Sequence, residues 1–310
     1  RLRTVIQIFG LLACLASAIG HTPIGADTLG TSPHRYDMNA AMTVATLNEV
    51  EIAYTEVGDA SAPPVLLIMG LTASHRLWNA EMVQGLVDAG YRVVLFDNRD
   101  TGQSQRLDHL GEPTLWWQFI KNELGFSVDA PYSLDDMADD AVAVLDALEI
   151  SQAHIVGASM GGMIAQVVAA RYPQRTLSLV SIMSTTGASH LPPPEDEAAE
   201  SLQGIADSDE QTATNLTDRG IFPDAFPRQI LAIVAAGDRS EQVRSITVPT
   251  LVQHGEDDPL LPPAHGVHTA ELISGANLKT YAGMGHNMPD AVVPKIVADM
   301  LVHFGRMHSG

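Results

Sequence analysis

The stretch HIVGASMGGMIAQ, residues 154 to 166, limits what this chain can fold into more than any other. Residues able to finish a buried strand run into a serine with a glycine two positions away on either side, and a helical period follows. A reversal this sharp from strand to helix leaves no room for side chains two positions before and after its apex, so Gly157 and Gly161 meet a steric requirement. Ser159 stands at the apex, either as a nucleophile or as a residue capping the helix.

Other segments supply the sheet that such a turn needs. Short, nearly continuous apolar runs occur at residues 63–70 (PPVLLIMG), 91–97, 153–159, 177–184 and 249–255. They suit strands buried on both faces of a parallel sheet. Helical periods lie between them. In LDDMADDAVAVLDALEI, Met137, Ala141, Val144, Leu145 and Leu148 form a buried stripe, Asp135, Asp139, Asp140 and Asp146 fall on a wet face, and Ser133 is the expected N-cap. Upstream, MTVATLNEVEIAYTEVG alternates about a turn at Asn48 and Glu49, as an edge hairpin would. A strand in LKTYAG and a helix over residues 290–304 complete the pattern. The prediction is an α/β fold with a mostly parallel, doubly wound sheet and an antiparallel hairpin edge.

Two stretches break the rhythm. Residues 186–246 contain no strand pattern and are predicted to form a helical cap or lid inserted over the sheet's carboxyl edge, leaving residues 40–185 and 247–308 as the core. In EPTLWWQFIKNELGF, Trp116, Trp117, Phe119 and Ile120 crowd a long connection, either a second lid or packed structure. The 310 residues are ample for one such domain.

Residues 1–20 have the form of an export signal: two arginines, an apolar run from Val5 to Ile19 and small residues near its end. The run is short for a membrane span, so the expectation is an exported protein, periplasmic or extracellular, with no stable span in its mature form. The alternative is an ordered N-terminal helix on a cytoplasmic protein. Cys14, the sole cysteine, lies in this run, and Leu11-Leu12-Ala13-Cys14 resembles a lipoprotein signal that would anchor the chain there. Removal of the segment would leave no thiol for disulfides, catalysis or metal binding. Acidic residues outnumber basic ones by 37 to 17, a net charge of −20, which argues against nucleic acid or an anionic membrane as partner. His254, His265 and His268 show no metal-binding spacing and are read as structural or exposed; no metal or other cofactor is expected.

Reactive groups in an open parallel sheet gather where strands end at the carboxyl edge. Ser159 is at one such end, Asp257 and Asp258 follow the run at 249–255, and His286 follows the last strand. A serine hydroxyl becomes a good nucleophile when a neutral imidazole takes its proton, and the imidazole needs a carboxylate to fix its tautomer and balance its charge. The oxyanion donors expected are the backbone N–H of Met160, directly after the serine, and that of Leu71 in IMGLT. His75 lies nearby without an assigned role. Met69, Met160, Met163, Met284 and Met288 are core filling or the lining of a soft apolar pocket. Arg99 and Asp100 either approach the site or, as a buried charged pair, brace their loop, the second being the expectation.

Together, LLIMGLTASHRLW, VVLFDNRDTGQS, HIVGASMGGMIAQ, LVQHGEDDPLLPP and GMGHNMP resemble the α/β-hydrolases over residues 40–308, most of the insertion excepted, and within them the bacterial esterase branch that includes aclacinomycin methylesterase. The resemblance implies cofactor-free hydrolysis of a small-molecule carboxylic ester through an acyl-enzyme, and its Gly-x-x-Asp pattern selects Asp258 over Asp257 for the triad Ser159, Asp258, His286. The chain departs from the family pattern at Met69-Gly70, where His-Gly is common, and at Asp97-Asn98-Arg99-Asp100, where Asp-x-Arg-Gly is common. The same residues would also serve C–C hydrolysis, thioester cleavage, perhydrolysis or a hydrolase-shaped ligand receptor. Dehalogenase and hydrolytic epoxide chemistry fit less well, because those members place aspartate at the elbow. Acyl length, alcohol group and oligomeric state are not written in these motifs.

Overall fold

The computed structural model describes residues 36–111, 113–198 and 209–305; the signal expected over residues 1–20, with Cys14, lies outside them. Among the described residues no helix is long and apolar enough to cross a membrane.

Eight strands form one sheet in the order β1-β2-β4-β3-β5-β6-β7-β8. β1 (Thr43–Leu47) and β2 (Val50–Val57) make the edge hairpin, and β2 runs antiparallel to β4 (Arg92–Phe96). The two turn residues, Asn48 and Glu49, have φ of 49° and 67°, the left-handed pair whose twist matches that of the flanking strands. The remaining strands, β3 (Pro64–Ile68), β5 (Ala153–Ala158), β6 (Thr176–Ile182), β7 (Thr250–Gly255) and β8 (Asn277–Tyr281), are parallel to β4 and to one another.

Side-chain alternation splits each central strand between two cores. Leu66 and Ile68 of β3 join one core, with Met137 of α3 (Leu134–Ala147) and Ile164 of α4 (Met160–Arg171). Val65 and Leu67 join the other, with Met82 of α1 (Ala80–Asp88) and Ile296 of α9 (Val293–Gly305). Coverage on both faces explains why the strand segments read as unbroken apolar runs.

Ser133 caps α3 in a reciprocal box: its hydroxyl accepts from Asp136 N–H, and the Asp136 carboxylate accepts from Ser133 N–H. One residue of the expected wet face is misplaced. Asp140 is buried and takes a bidentate ion pair from Arg99 at 2.6 and 2.8 Å. Arg99 and Asp100 therefore do not pair with each other. Asp100 turns the other way, to Arg228 at 2.5 and 2.9 Å, and also accepts from Tyr132 Oη–H and Leu107 N–H. Burial works against the Asp100 charge, but Arg228 and these donors outweigh it and hold the carboxyl below its usual range.

Arg228 comes from the region between β6 and β7, whose described helices are α5 (Glu210–Asp218), α6 (Phe226–Ala236) and α7 (Ser240–Arg244). The Trp-rich connection forms a helix, α2 (Leu115–Glu123), in which Phe119 is buried while Trp116 and Trp117 are 62% and 48% exposed. Of the two alternatives for this stretch, packed structure does not hold for the two indoles, which touch edge to face at 5.9 Å on the surface.

Substituting Arg228→Met leaves Asp100 charged, buried and short of its main partner. Urea unfolding of this variant is expected to reveal a loss of about 3–5 kcal/mol. The double variant Asp100→Asn, Arg228→Met should recover part of that loss.

Candidate active site

The elbow is built by close backbone contact. A Cβ on Gly157 would overlap the carbonyl oxygen of Gly161, and one on Gly161 would overlap that of Ile68. With both absent, α4 starts directly against β3 and β5, and Ser159 is held at φ 57°, ψ −122°. Such a backbone is costly for a residue with a side chain. It is fixed on both sides: Ser159 N–H donates to Ile182 O at 3.0 Å, and Ser184 Oγ–H donates to Ser159 O at 2.8 Å.

The ends of β7 and β8 bring the other two groups to this point. Ser159 Oγ lies 2.9 Å from His286 Nε2, and His286 Nδ1 lies 2.8 Å from Asp258 Oδ2. A carboxylate only accepts, so Nδ1 carries the imidazole proton and Nε2 is left to accept from the serine hydroxyl. Asp258 Oδ1 accepts from the N–H groups of Leu260 and Leu261, both at 2.9 Å. Burial penalises the Asp258 charge, yet His286, with His254 and the Leu261 N–H, outweighs it and keeps the carboxyl below its usual range. Asp257 is exposed and ties the histidine loop instead, accepting from Gly283 N–H at 2.8 Å.

Met160 directly follows the serine, and Gly70, the residue before Leu71, lies against it. Neither the Leu71 nor the Met160 N–H donates to any group among the described residues. Met160 opens α4, where the helix dipole favours negative charge. Leu71 sits in a turn closed by Ala73 N–H to Gly70 O at 3.2 Å, and its neighbour Thr72 has φ 56°. That conformation is clamped from the insertion: Thr72 N–H donates to Gln229 Oε1 at 2.7 Å, and Phe222 N–H to Thr72 O at 2.8 Å. Gln229 also donates to Arg99 O at 3.1 Å, and Asn98 Nδ2 donates to Met69 O at 2.8 Å from the other side.

Sequence reasoning missed Gln229 and its neighbour Arg228. The visible signal was polar residues inside the otherwise apolar helix FPRQILAIVAA.

The neighbouring histidines are occupied. His75 is buried, with Nδ1 2.8 Å from Asp97 Oδ1 and Nε2 3.3 Å from Met38 O, so its ring is committed to the core. His254 faces Leu261 O at 2.7 Å and lies 3.5 Å from Asp258; burial pushes its pKa down. His265 meets Thr185 Oγ1 and Pro192 O, and burial lowers its pKa to about 4. His268 meets Thr186 Oγ1 at 3.0 Å.

Two cavities lie among the described residues. One, of about 360 Å³, is walled by His286, Met38, Met69, Trp78, Met183 and Met288. The other, of about 310 Å³, lies against the insertion and is bounded by Met163, Ile233, Leu261 and Arg239. Met160 and Met284 are wholly core. Buried Arg239 donates to Met163 O, Gln166 Oε1 and Thr185 O, and burial brings its pKa down to about 10.

Two measurements test these placements. Asp258→Asn should reduce the rate of Ser159 labelling by a fluorophosphonate by roughly 10³-fold or more, as loss of a tautomer-fixing carboxylate does, whereas Asp257→Asn should change it only a few-fold. Gln229→Leu, which frees Thr72 N–H, should lower ester kcat by about 10- to 100-fold with a smaller change in KM.

The comparisons agree with this architecture. Residues 63–226 match the model of the alpha/beta hydrolase fold family. Rhodomycin D methylesterase DauP of Streptomyces sp. (strain C5) is 30% identical, the match covering 83% of this chain and 96% of that protein. The bifunctional esterase/perhydrolase DCH of Acinetobacter calcoaceticus is 27% identical over 83% of this chain and 97% of its own. Among solved structures, the enol-lactonase from Burkholderia xenovorans LB400 superposes with a TM-score of 0.64 at 20% identity, covering 85% of this chain and 100% of that one. The chain belongs to the α/β-hydrolase fold family.

Proposed function

We propose that this protein is a serine hydrolase acting on carboxylic esters through an acyl-enzyme. The observation that carries the reading is the unbroken relay from Ser159 Oγ through His286 to Asp258, at 2.9 and 2.8 Å. The esterase names of its relatives support the same bond type.

In this reading His286 Nε2 takes the serine proton as Oγ attacks the ester carbonyl. The N–H groups of Leu71 and Met160 receive the oxyanion that forms. His286 returns the proton to the departing alkoxide, leaving the acyl group on Ser159. Water, deprotonated by His286, then releases the acid. Asp258 remains ionised throughout, because its partners hold its pKa down. The insertion, which both walls a cavity and clamps the loop carrying Leu71, acts as the cap that sets access.

A second reading, perhydrolysis, replaces water by hydrogen peroxide in the last step and is favoured by the likeness to the esterase/perhydrolase. The acyl-enzyme is common to both.

Hydrolysis of p-nitrophenyl esters from acetate to palmitate tests the proposal. Wild type should turn over at least part of the series with an acyl adduct on Ser159 detectable by mass spectrometry after rapid quench. Ser159→Ala should lower kcat by about 10⁴-fold or more. Retention of activity in that variant would sink the serine mechanism.

A further inference from the structure

The cavity beside His286 holds a cation that the fold does not use. In so acidic a chain most arginines find carboxylates: Arg92 pairs with Glu56, Arg171 with Asp139 and Arg175 with Asp146. Arg76 has no ion pair with any described residue, and its buried Nε has no hydrogen-bond partner. Its charge is thus left without the carboxylate partner that those arginines have.

Its position says what that partner would adjoin. Arg76 lies in the single turn His75–Leu77, just past the loop bearing Leu71, and lines the cavity of about 360 Å³ that His286 also lines. The other charged groups on this cavity are Asp218 and Arg219, both exposed at the edge of the insertion and opposite in sign. Those two offset each other, which leaves the half-buried Arg76 as the net charge among the residues lining the cavity. Met38, Met69, Met183 and Met288 supply adaptable apolar wall in the same cavity. A guanidinium lining a cavity with apolar walls is suited to a carboxylate, which it grips through parallel hydrogen bonds.

We propose that the esters hydrolysed here carry a free carboxylate, as monoesters of dicarboxylic acids do, and that Arg76 is the residue that selects it. This rests on the hydrolase reading above. The net charge of −20 does not oppose it, because exterior charge is screened beyond about 8 Å in physiological salt while a cavity charge is not.

The test compares methyl monoesters of the straight dicarboxylic acids, succinic to suberic, with the same esters ending in a carboxamide. At the best-fitting length, wild type should favour the carboxylate by about tenfold or more in kcat/KM. That ratio should fall to about one in Arg76→Met and stay intermediate in Arg76→Lys, which keeps the charge without the fork. Wild type indifferent to the carboxylate at every length, or a ratio unmoved by Arg76→Met, would overturn the proposal. The first of these needs no variant to fold. If wild type hydrolyses neither series, the hydrolase reading is what fails; calorimetric binding of the monoesters against the carboxamides to Ser159→Ala, with and without Arg76→Met, then decides the role of Arg76 alone.

Discussion

Everything at this site depends on three backbones being allowed to touch. The start of α4 meets β5 at Gly157 and the end of β3 at Gly161, so the serine that joins strand to helix is lifted clear of the sheet. The resulting conformation of Ser159 is unfavourable by itself and persists because Ile182 of the neighbouring strand and Ser184 just beyond it bind its backbone. β6 is thus more than another layer of core. It holds the strained residue in place while β7 and β8 carry Asp258 and His286 toward it.

A second constraint is polar and buried. The segment Asp97 to Asp100 follows β4 into the interior, and each of its four side chains is directed to a different element. Asp97 takes His75 and Gln103, Asn98 holds Met69, Arg99 grips α3 through Asp140, and Asp100 receives Arg228 from α6. Buried charges are tolerated only when so fully partnered. The segment joins the loop after β3, the helix layer and the region between β6 and β7 through groups that cannot be removed singly without leaving another unsatisfied.

The contrast between what was legible and what was not follows from range. Strands buried on both faces announce themselves as apolar runs, and a parallel sheet gathers their ends, so the order Ser159, Asp258, His286 could be read before any coordinate was known. Choosing Asp258 over Asp257 needed the family pattern, since the two acids are adjacent and only the fold turns one inward. Asp140 was misread because helical periodicity reports which face a residue shares, not whether a charged loop lies over that face. The Arg228–Asp100 and Gln229–Thr72 contacts span 128 and 157 residues. No local period encodes such pairings, and the only trace was polarity where α6 should have been apolar.

The clamp on Thr72 has a bearing on how members of such a family can diversify. Insertions over the sheet are natural units for recombination, since each begins and ends at neighbouring strands, here β6 and β7. In this chain the inserted unit also contributes the amide that steadies the turn at Thr72, two residues from the glycine that lies against Ser159. An exchange of the whole unit would carry away that support along with the cavity wall it supplies. Lineages that shuffle this segment would have to inherit a glutamine equivalent to Gln229 with it, or rebuild the turn within the core.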